Sequence, residues 1–506
     1  MNFIKKQFNF LRKNNNLRDS VIKSIVSGKY LIVPQKDKLN GLGIKYNIVD
    51  NKFHKAGDIQ LYSRNSKLFL NYNIKYNYLT KSHKNKILIE FINSILSSLN
   101  EDNLYLKLKD YSDIKNLKGF EFIFEKNYLR LSKVSNNKKQ ILTAGPSISE
   151  KEKFYVFDAT EKGWNNNWSN YLTKFENLFS KKMNQRYCLS TSSCTGAMHI
   201  ALLALGIKKG DEVIVPDITW VATASVVVSV GAIPVFADVD KDDWTISIKS
   251  IEKLISKKTK AIMPVHLYGM PAKLEQLKKI SKKYNLKIIE DAAPAIGSKS
   301  FKIKSGCLGE FSAFSFQGAK LLVTGEGGIL TTNNKFLYEK AKKILDFGRS
   351  KKKTFWIDSI GVKYKMSNIQ AALGFGQLER LDQLIMQKRK IFKFYEKFLI
   401  QNNFKLIKEK KGTKSIYWMT CILIDKNFKR DELINVLKKN HIDCRPCFPS
   451  ISEYPIWHEY RSDVLKNSKI IAKQGLNLPS GVNLKEKDIK RVSSIINKFF
   501  GQNSVN

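Results

Sequence analysis

From about residue 185 onward, short apolar runs alternate with amphipathic stretches of helical period, and no other feature restricts so strongly what this chain can fold into. Residues 212–216, 233–239, 261–266, 287–290, 311–316 and 328–332 read as strands, with helices between several of them at 195–206, 219–230, 247–256 and 272–284. Apolar strands joined by crossover helices predict a mainly parallel α/β sheet covered on both faces. A helix-rich stretch near 367–400 follows, and the last hundred residues read as a smaller α+β unit.

The region before this pattern differs. Residues 1–140 are rich in Lys, Asn and Tyr and give short alternating runs at 59–62, 67–72 and 105–108. Two more runs, 120–124 and 128–131, flank Glu125-Lys126-Asn127 and read as a hairpin. One stretch, 84–99, carries Ile87, Phe91, Ile92, Ile95 and Leu96 at helical spacing. A small α+β domain is expected here, with the polar residues 132–140 as its linker. The chain then divides into an accessory domain at 1–140, a large domain at 141–390 and a C-terminal small domain at 391–506.

Charge bears on the choice of partner. The formal net charge is +43, which raises nucleic acid as a ligand. Yet residues 1–140 hold 27 basic and 11 acidic side chains, and the excess continues through the rest of the chain. Spread in this way, and accompanied by Asn runs, it reads as a compositional bias rather than a binding stripe, and no nucleic-acid-binding signature goes with it. Six cysteines, all after residue 187, are too sparse for a disulfide framework and fit a reducing cytoplasm. The pair Cys444 and Cys447 has no second pair to complete a zinc site, so no metal is expected. The apolar run at 222–237 is broken by Gly231 and Pro234 and falls short of a membrane span. The first residues lack the continuous apolar stretch of a signal peptide.

In a parallel sheet, ligands sit beyond the carboxyl ends of the strands. Those ends carry Trp220 after the first strand, His266 at the end of the third, Glu290 and Asp291 at the fourth, and Ser315, Gln317 and Lys320 after the fifth. Upstream, the run from Thr191 to Ala197 opens a helix with small polar residues, among them Thr195 and Gly196, whose free N–H groups suit a phosphate. Taken singly, each feature has a plain explanation as a helix cap, a core aromatic, an ion-pair partner or one lysine among many. Together on one edge they make a phosphate cradle, an aromatic plate, a carboxylate and a lysine, which is what pyridoxal phosphate requires.

These residues stand in longer strings: SSCTGAMHIALLALGIKKGDEVIVPDITWVATA, PVHLYGMPAKL, IIEDAAPAIGS, FSAFSFQGAKLLVTGEGG, KYKMSNIQAALGFGQLERLD and NLPSG. From about residue 142 to the end, the chain resembles the DegT/DnrJ/EryC1/StrS family of sugar aminotransferases, within the fold-type I pyridoxal-phosphate enzymes. The resemblance implies that Lys320 is the Schiff-base lysine, Asp291 the partner of the pyridine nitrogen and Trp220 the ring stacked on the cofactor. It implies further that Thr195, Gly196 and Ser315 hold the phosphate, with Gln317 beside them. The family is dimeric with composite sites, so the segment around Lys363 is expected to reach the phosphate of a neighbouring subunit.

Two positions depart from the family pattern. Pro294 stands where members often carry Gln, Glu or His near the phenolic oxygen of the cofactor, and Lys363 replaces a frequent Asn. The sibling 3-dehydratases replace the lysine by histidine, so Lys320 argues for transamination. The perosamine-synthase branch looks most similar, which implies amination of a nucleotide-linked 4-keto-6-deoxyhexose, GDP-linked, with L-glutamate as donor, in amino-sugar and surface-glycan biosynthesis. His266, Arg349 and Arg445 are candidate substrate contacts. Two other classes stay open at this point: a non-catalytic or regulatory binding protein on the same fold, and a basic nucleic-acid binder. Residues 1–140 match no named family and are expected to be an accessory module.

Overall fold

A computed structural model of the chain describes residues 140–501 and, before them, the backbone of seven strands between residues 30 and 133. The chain divides into two compact units, Met1–Lys139 and Gln140–Asn506.

The strands of the first unit are β1 (Tyr30–Pro34), β2 (Gly43–Asp50), β3 (Lys55–Arg64), β4 (Lys67–Ile74), β5 (Asn103–Lys107), β6 (Phe120–Glu125) and β7 (Tyr128–Lys133). They form one sheet in the order β1-β2-β3-β4-β5-β7-β6. Only β4 and β5 pair parallel; every other neighbouring pair is antiparallel. The alternating runs of the sequence are all strands, and the hairpin pairs Glu125 with Tyr128. β1 and β2 lie outside the expected runs. The helix expected at 84–99 falls outside the described residues.

The second unit is built on β8 (Tyr187–Thr191), β9 (Glu212–Pro216), β10 (Ile233–Ala237), β11 (Thr259–Ile262), β12 (Lys287–Asp291), β13 (Phe311–Ser315) and β14 (Gly328–Thr332), in the order β10-β9-β11-β12-β13-β14-β8. The five strands from β10 to β13 in that order pair parallel, while β14 runs antiparallel to both of its neighbours. Residues 316–327, between β13 and β14, form no helix. Without a crossover helix the chain returns antiparallel.

The expected helices are present as α3 (Cys194–Leu205), α4 (Ala222–Ser229), α5 (Ile248–Leu254) and α6 (Leu274–Tyr284), preceded by α1 (Glu150–Lys162) and α2 (Asn170–Met183). They cover both faces of the sheet because successive side chains of a strand point opposite ways. Val213 and Val215 of β9 pack into one core with α3 and α4, and Ile214 between them packs into another with α5 and α6. After α7 (Lys335–Leu345), the helix-rich stretch resolves into α8 (Asn368–Glu379) and α9 (Leu381–Phe398). A smaller antiparallel sheet follows, made of β15 (Phe404–Leu406), β16 (Thr420–Ile424), β17 (Arg445–Pro446) and β18 (Gly475–Leu478), in the order β15-β16-β18-β17. Cys444 and Cys447 are buried and unpaired. Among the described residues no helix is long and apolar enough to cross a membrane.

Candidate active site

All strands of the large sheet except β14 run the same way, so their carboxyl ends share one edge, and α3, which follows β8, begins there. Asp291 is the last residue of β12 and is 5% exposed. Its carboxylate accepts one bond per oxygen: from the Thr223 hydroxyl at 2.8 Å and from the Ala293 N–H at 3.1 Å. Each oxygen keeps a lone pair for a further donor.

Lys320 sits in the loop after β13, half-buried, its N–H donating to the Gln317 carbonyl at 2.8 Å. Its amine lies 3.9 Å from the ring centroid of Trp418. Burial pushes the amine below the usual lysine range, and the Asp291 carboxylate partly opposes that fall. The Cys194 thiol, at the first turn of α3, feels both charges while burial holds it well above the usual range. The strand end, the lysine loop and the helix start are therefore one site.

At the helix start, the Ser193 hydroxyl caps α3 by accepting from Gly196 N–H at 3.0 Å. The N–H groups of Cys194 and Thr195, in the first turn, have no intrahelical acceptor. Thr195 is exposed, and Gly196 is buried under the ring of Tyr364, which a Cβ there would approach to 2.9 Å. Gly328, opening β14, passes so close that a Cβ would come within 2.5 Å of the Cys194 N. Both glycines are required by this close packing. Tyr364 also accepts the Ser192 N–H at 2.6 Å, which lays the segment carrying Lys363 beside the cradle. Lys363 itself is exposed, 3.8 Å from Asp346.

Trp220 follows β9 with 60% of its surface exposed and one contact to Phe448, ring centroids 5.8 Å apart. Ser315, at the end of β13, is half-buried and accepts from Gln317 N–H at 3.4 Å; the exposed Gln317 accepts from Ala319 N–H at 2.9 Å. Pro294 is buried and brings no hydrogen-bonding side chain to the neighbourhood of Asp291.

The three expected substrate contacts are placed differently. His266 is fully buried; Ala272 N–H donates to its Nδ1 at 3.0 Å, so Nε2 carries the proton and donates to Glu290 at 3.0 Å. Neither ring nitrogen is left for a ligand. Arg349 is exposed beside Asp346, and Arg445 is exposed beside Asp443. Among the described residues, no side-chain contact joins either arginine to Asp291 or Lys320. Residues that sequence reasoning missed are Thr223, one helical turn after Trp220 in the same quoted string, and Trp418, which no local motif marks. Clefts of about 940 Å³ and about 630 Å³ are lined by neither Lys320 nor Asp291, so chemistry rather than concavity selects this edge.

The sequence profile of the DegT/DnrJ/EryC1/StrS aminotransferase family matches residues 146–497. The chain belongs to this family. It is 40% identical over 363 residues to the GDP-perosamine synthase of Escherichia coli O157:H7, covering 72% of this chain and 99% of that protein. It is 26% identical to Helicobacter pylori PseC, an aminotransferase involved in the biosynthesis of pseudoaminic acid, with a TM-score of 0.68 over 72% of this chain and 100% of that one. Spr1654 from Streptococcus pneumoniae, in its PMP form, shares the fold at 24% identity, TM-score 0.67, over 72% of this chain and 99% of that one.

The protein is thus an aminotransferase of fold type I that uses pyridoxal 5'-phosphate, and the reading as a non-catalytic module gives way. The donor set of a DegT/DnrJ/EryC1/StrS enzyme fits this cofactor. Free N–H groups with a hydroxyl suit a phosphate, an exposed indole suits a flat ring, and a carboxylate with spare lone pairs suits a protonated ring nitrogen.

Proposed function

We propose that the protein transfers an amino group from L-glutamate to a nucleotide-linked keto-deoxysugar, with a GDP-linked 4-keto-6-deoxyhexose as the favoured acceptor. The observation that carries this reading is the match to the E. coli GDP-perosamine synthase along 99% of that protein's length. When bound, the cofactor supplies a carbonyl that captures amines and a ring that withdraws electrons from the reacting carbon. Lys320 provides the amine that anchors it and, once free, carries the proton to and from the sugar carbon; an amine held below the usual lysine range gives up its proton more readily than an ordinary one. Asp291 keeps the ring nitrogen protonated, with Thr223 and Ala293 fixing the carboxylate's direction. Thr195, Gly196 and Ser315 hold the phosphate, Trp220 stacks on the ring, and Gln317 lies beside it.

The active unit on this reading is a homodimer in which Lys363 of a second copy reaches the phosphate. The segment leading into Lys363 supports it: Phe355 is 87% and Ile360 96% exposed, with Trp356 and Ile357 half-exposed between them. Apolar side chains so placed suit burial against another copy. Residues 1–140 serve as an accessory module, and the enzyme acts in the cytoplasm.

A panel of 4-keto and 3-keto sugar nucleotides, scored by glutamate-dependent formation of amino sugar, tests the proposal. GDP-4-keto-6-deoxymannose should be accepted over its UDP and dTDP counterparts. Preference for a 3-keto substrate, or activity only on small ketones, would overturn it.

A further inference from the structure

Trp418 stands two residues before β16 and is 6% exposed. It is held from three sides. Its indole N–H donates to the Ala319 carbonyl at 2.8 Å, gripping the residue next to Lys320. Its own carbonyl accepts the amine of Lys388, on α9, at 2.7 Å, and that buried amine also donates to the Ser480 carbonyl at 2.5 Å. Its ring stacks on Tyr268, centroids 6.1 Å apart at 19°, and Tyr268 stacks in turn on Phe448, the residue against Trp220. The same ring carries the Lys320 amine 3.9 Å from its centroid, within the range at which an aromatic quadrupole attracts a cation.

We propose that Trp418 is a positioning residue whose ring face receives the Lys320 amine whenever that lysine is not bonded to the cofactor. The inference rests on the reading of Lys320 as the cofactor lysine. A transaminase lysine is bonded to the cofactor in one resting form and free in the other, so a defined place to wait keeps it in reach. The groups facing it are Asp291 on β12, Cys194 on α3 and the Trp418 ring. A second carboxylate in the ring's place would hold the ammonium too firmly for proton transfer and would compete with Asp291 for the cofactor nitrogen. An aromatic face steadies the cation more weakly and accepts the neutral amine as an apolar contact.

The test is reductive methylation of the full chain, freed of cofactor, followed lysine by lysine in a mass spectrometer across a pH series. Adding pyridoxal phosphate should shield Lys320 from the reagent; absence of shielding would refute the cofactor-lysine reading without bearing on the Trp418 contact. In Trp418→Leu the cation loses its ring face, and the proton affinity of Lys320 should fall about tenfold. Trp418→Phe keeps a ring face and should hold most of the wild-type value. Surface lysines in the same spectra report folding, and Trp418→Met replaces the leucine variant if their pattern changes. An unchanged proton affinity in the leucine or methionine variant overturns the proposal, as does an equal fall in the phenylalanine variant.

Discussion

Glu290 and Asp291 are consecutive residues of one strand, yet they sit in regions of opposite character. The pleat sends their side chains to opposite faces of the sheet. Glu290 is fully buried and accepts from His266, the N–H groups of Gly306, Leu308 and Gly309, and the Ser312 hydroxyl. Burial alone would raise its carboxyl, but those donors outweigh it and hold Glu290 below the usual carboxylate range. Asp291 has two donors and unspent lone pairs. The saturated carboxylate has no capacity left for a ligand and belongs to the fold. The undersaturated one, beside a half-buried amine, keeps bonding capacity that a ligand could use.

That contrast can be broken by mutation. Lys320→Ala should abolish turnover and the visible absorption of the bound cofactor while leaving the denaturation profile nearly unchanged. Asp291→Asn, almost the same shape without the charge, should lower turnover by roughly 10²–10³-fold, since fixed charge opposite developing charge is worth about that much. Equal turnover in Asp291→Asn, measured at saturating substrate, would place the functional carboxylate elsewhere.

Glu290→Gln should do the reverse. It removes the anion from a buried cluster of neutral donors and puts an NH2 where one oxygen accepted, and each buried donor left unsatisfied costs about 1–3 kcal/mol. The variant should unfold at distinctly lower urea yet still bind cofactor where it remains folded. Because the Glu290 carboxyl is depressed in the folded protein, its stabilising contribution is complete above the ordinary value of 4.5 and is lost as pH falls through the folded value. Acid should therefore narrow the gap between wild type and the glutamine variant; a gap constant from pH 7 to pH 3 would contradict this.

The sheet edge is legible in the sequence because apolar runs mark the strands and polar residues mark where they stop. The side to which a residue turns is not. Asp291 closes its strand, but β11 ends at Ile262, and the chain beyond it passes through Pro264, with no N–H for the ladder, and turns His266 beneath the sheet. The start of the sheet is hidden for another reason: Thr191, the last residue of β8, reads with the run that follows as the start of a helix, and the pairing partner β14 comes much later in the chain. Trp418 and Lys388 are beyond local reading, because their contacts exist only once the small sheet packs against the lysine loop.

A last expected effect concerns Lys388, a fully buried amine with two carbonyl partners and no carboxylate. Burial pushes it down to about 7 from an ordinary 10.5. A neutral amine still has two N–H bonds for its two acceptors. Between those values the unfolded chain holds a proton that the folded chain does not, so stability should rise with pH across the window, and Lys388→Met should flatten that slope in urea titrations.

The antiparallel return of β14 also bears on how such an enzyme can change over generations. It ties both ends of the lysine loop, residues 316–327, to adjacent strands of one sheet. Lengthening a tethered loop is cheap, about 0.6 kcal/mol for each doubling. An insertion at its exposed stretch, Gly325 or Glu326, would leave the sheet standing. The loop in this architecture can therefore be rebuilt in a single step without loss of the fold, leaving an intact scaffold free to take up another role.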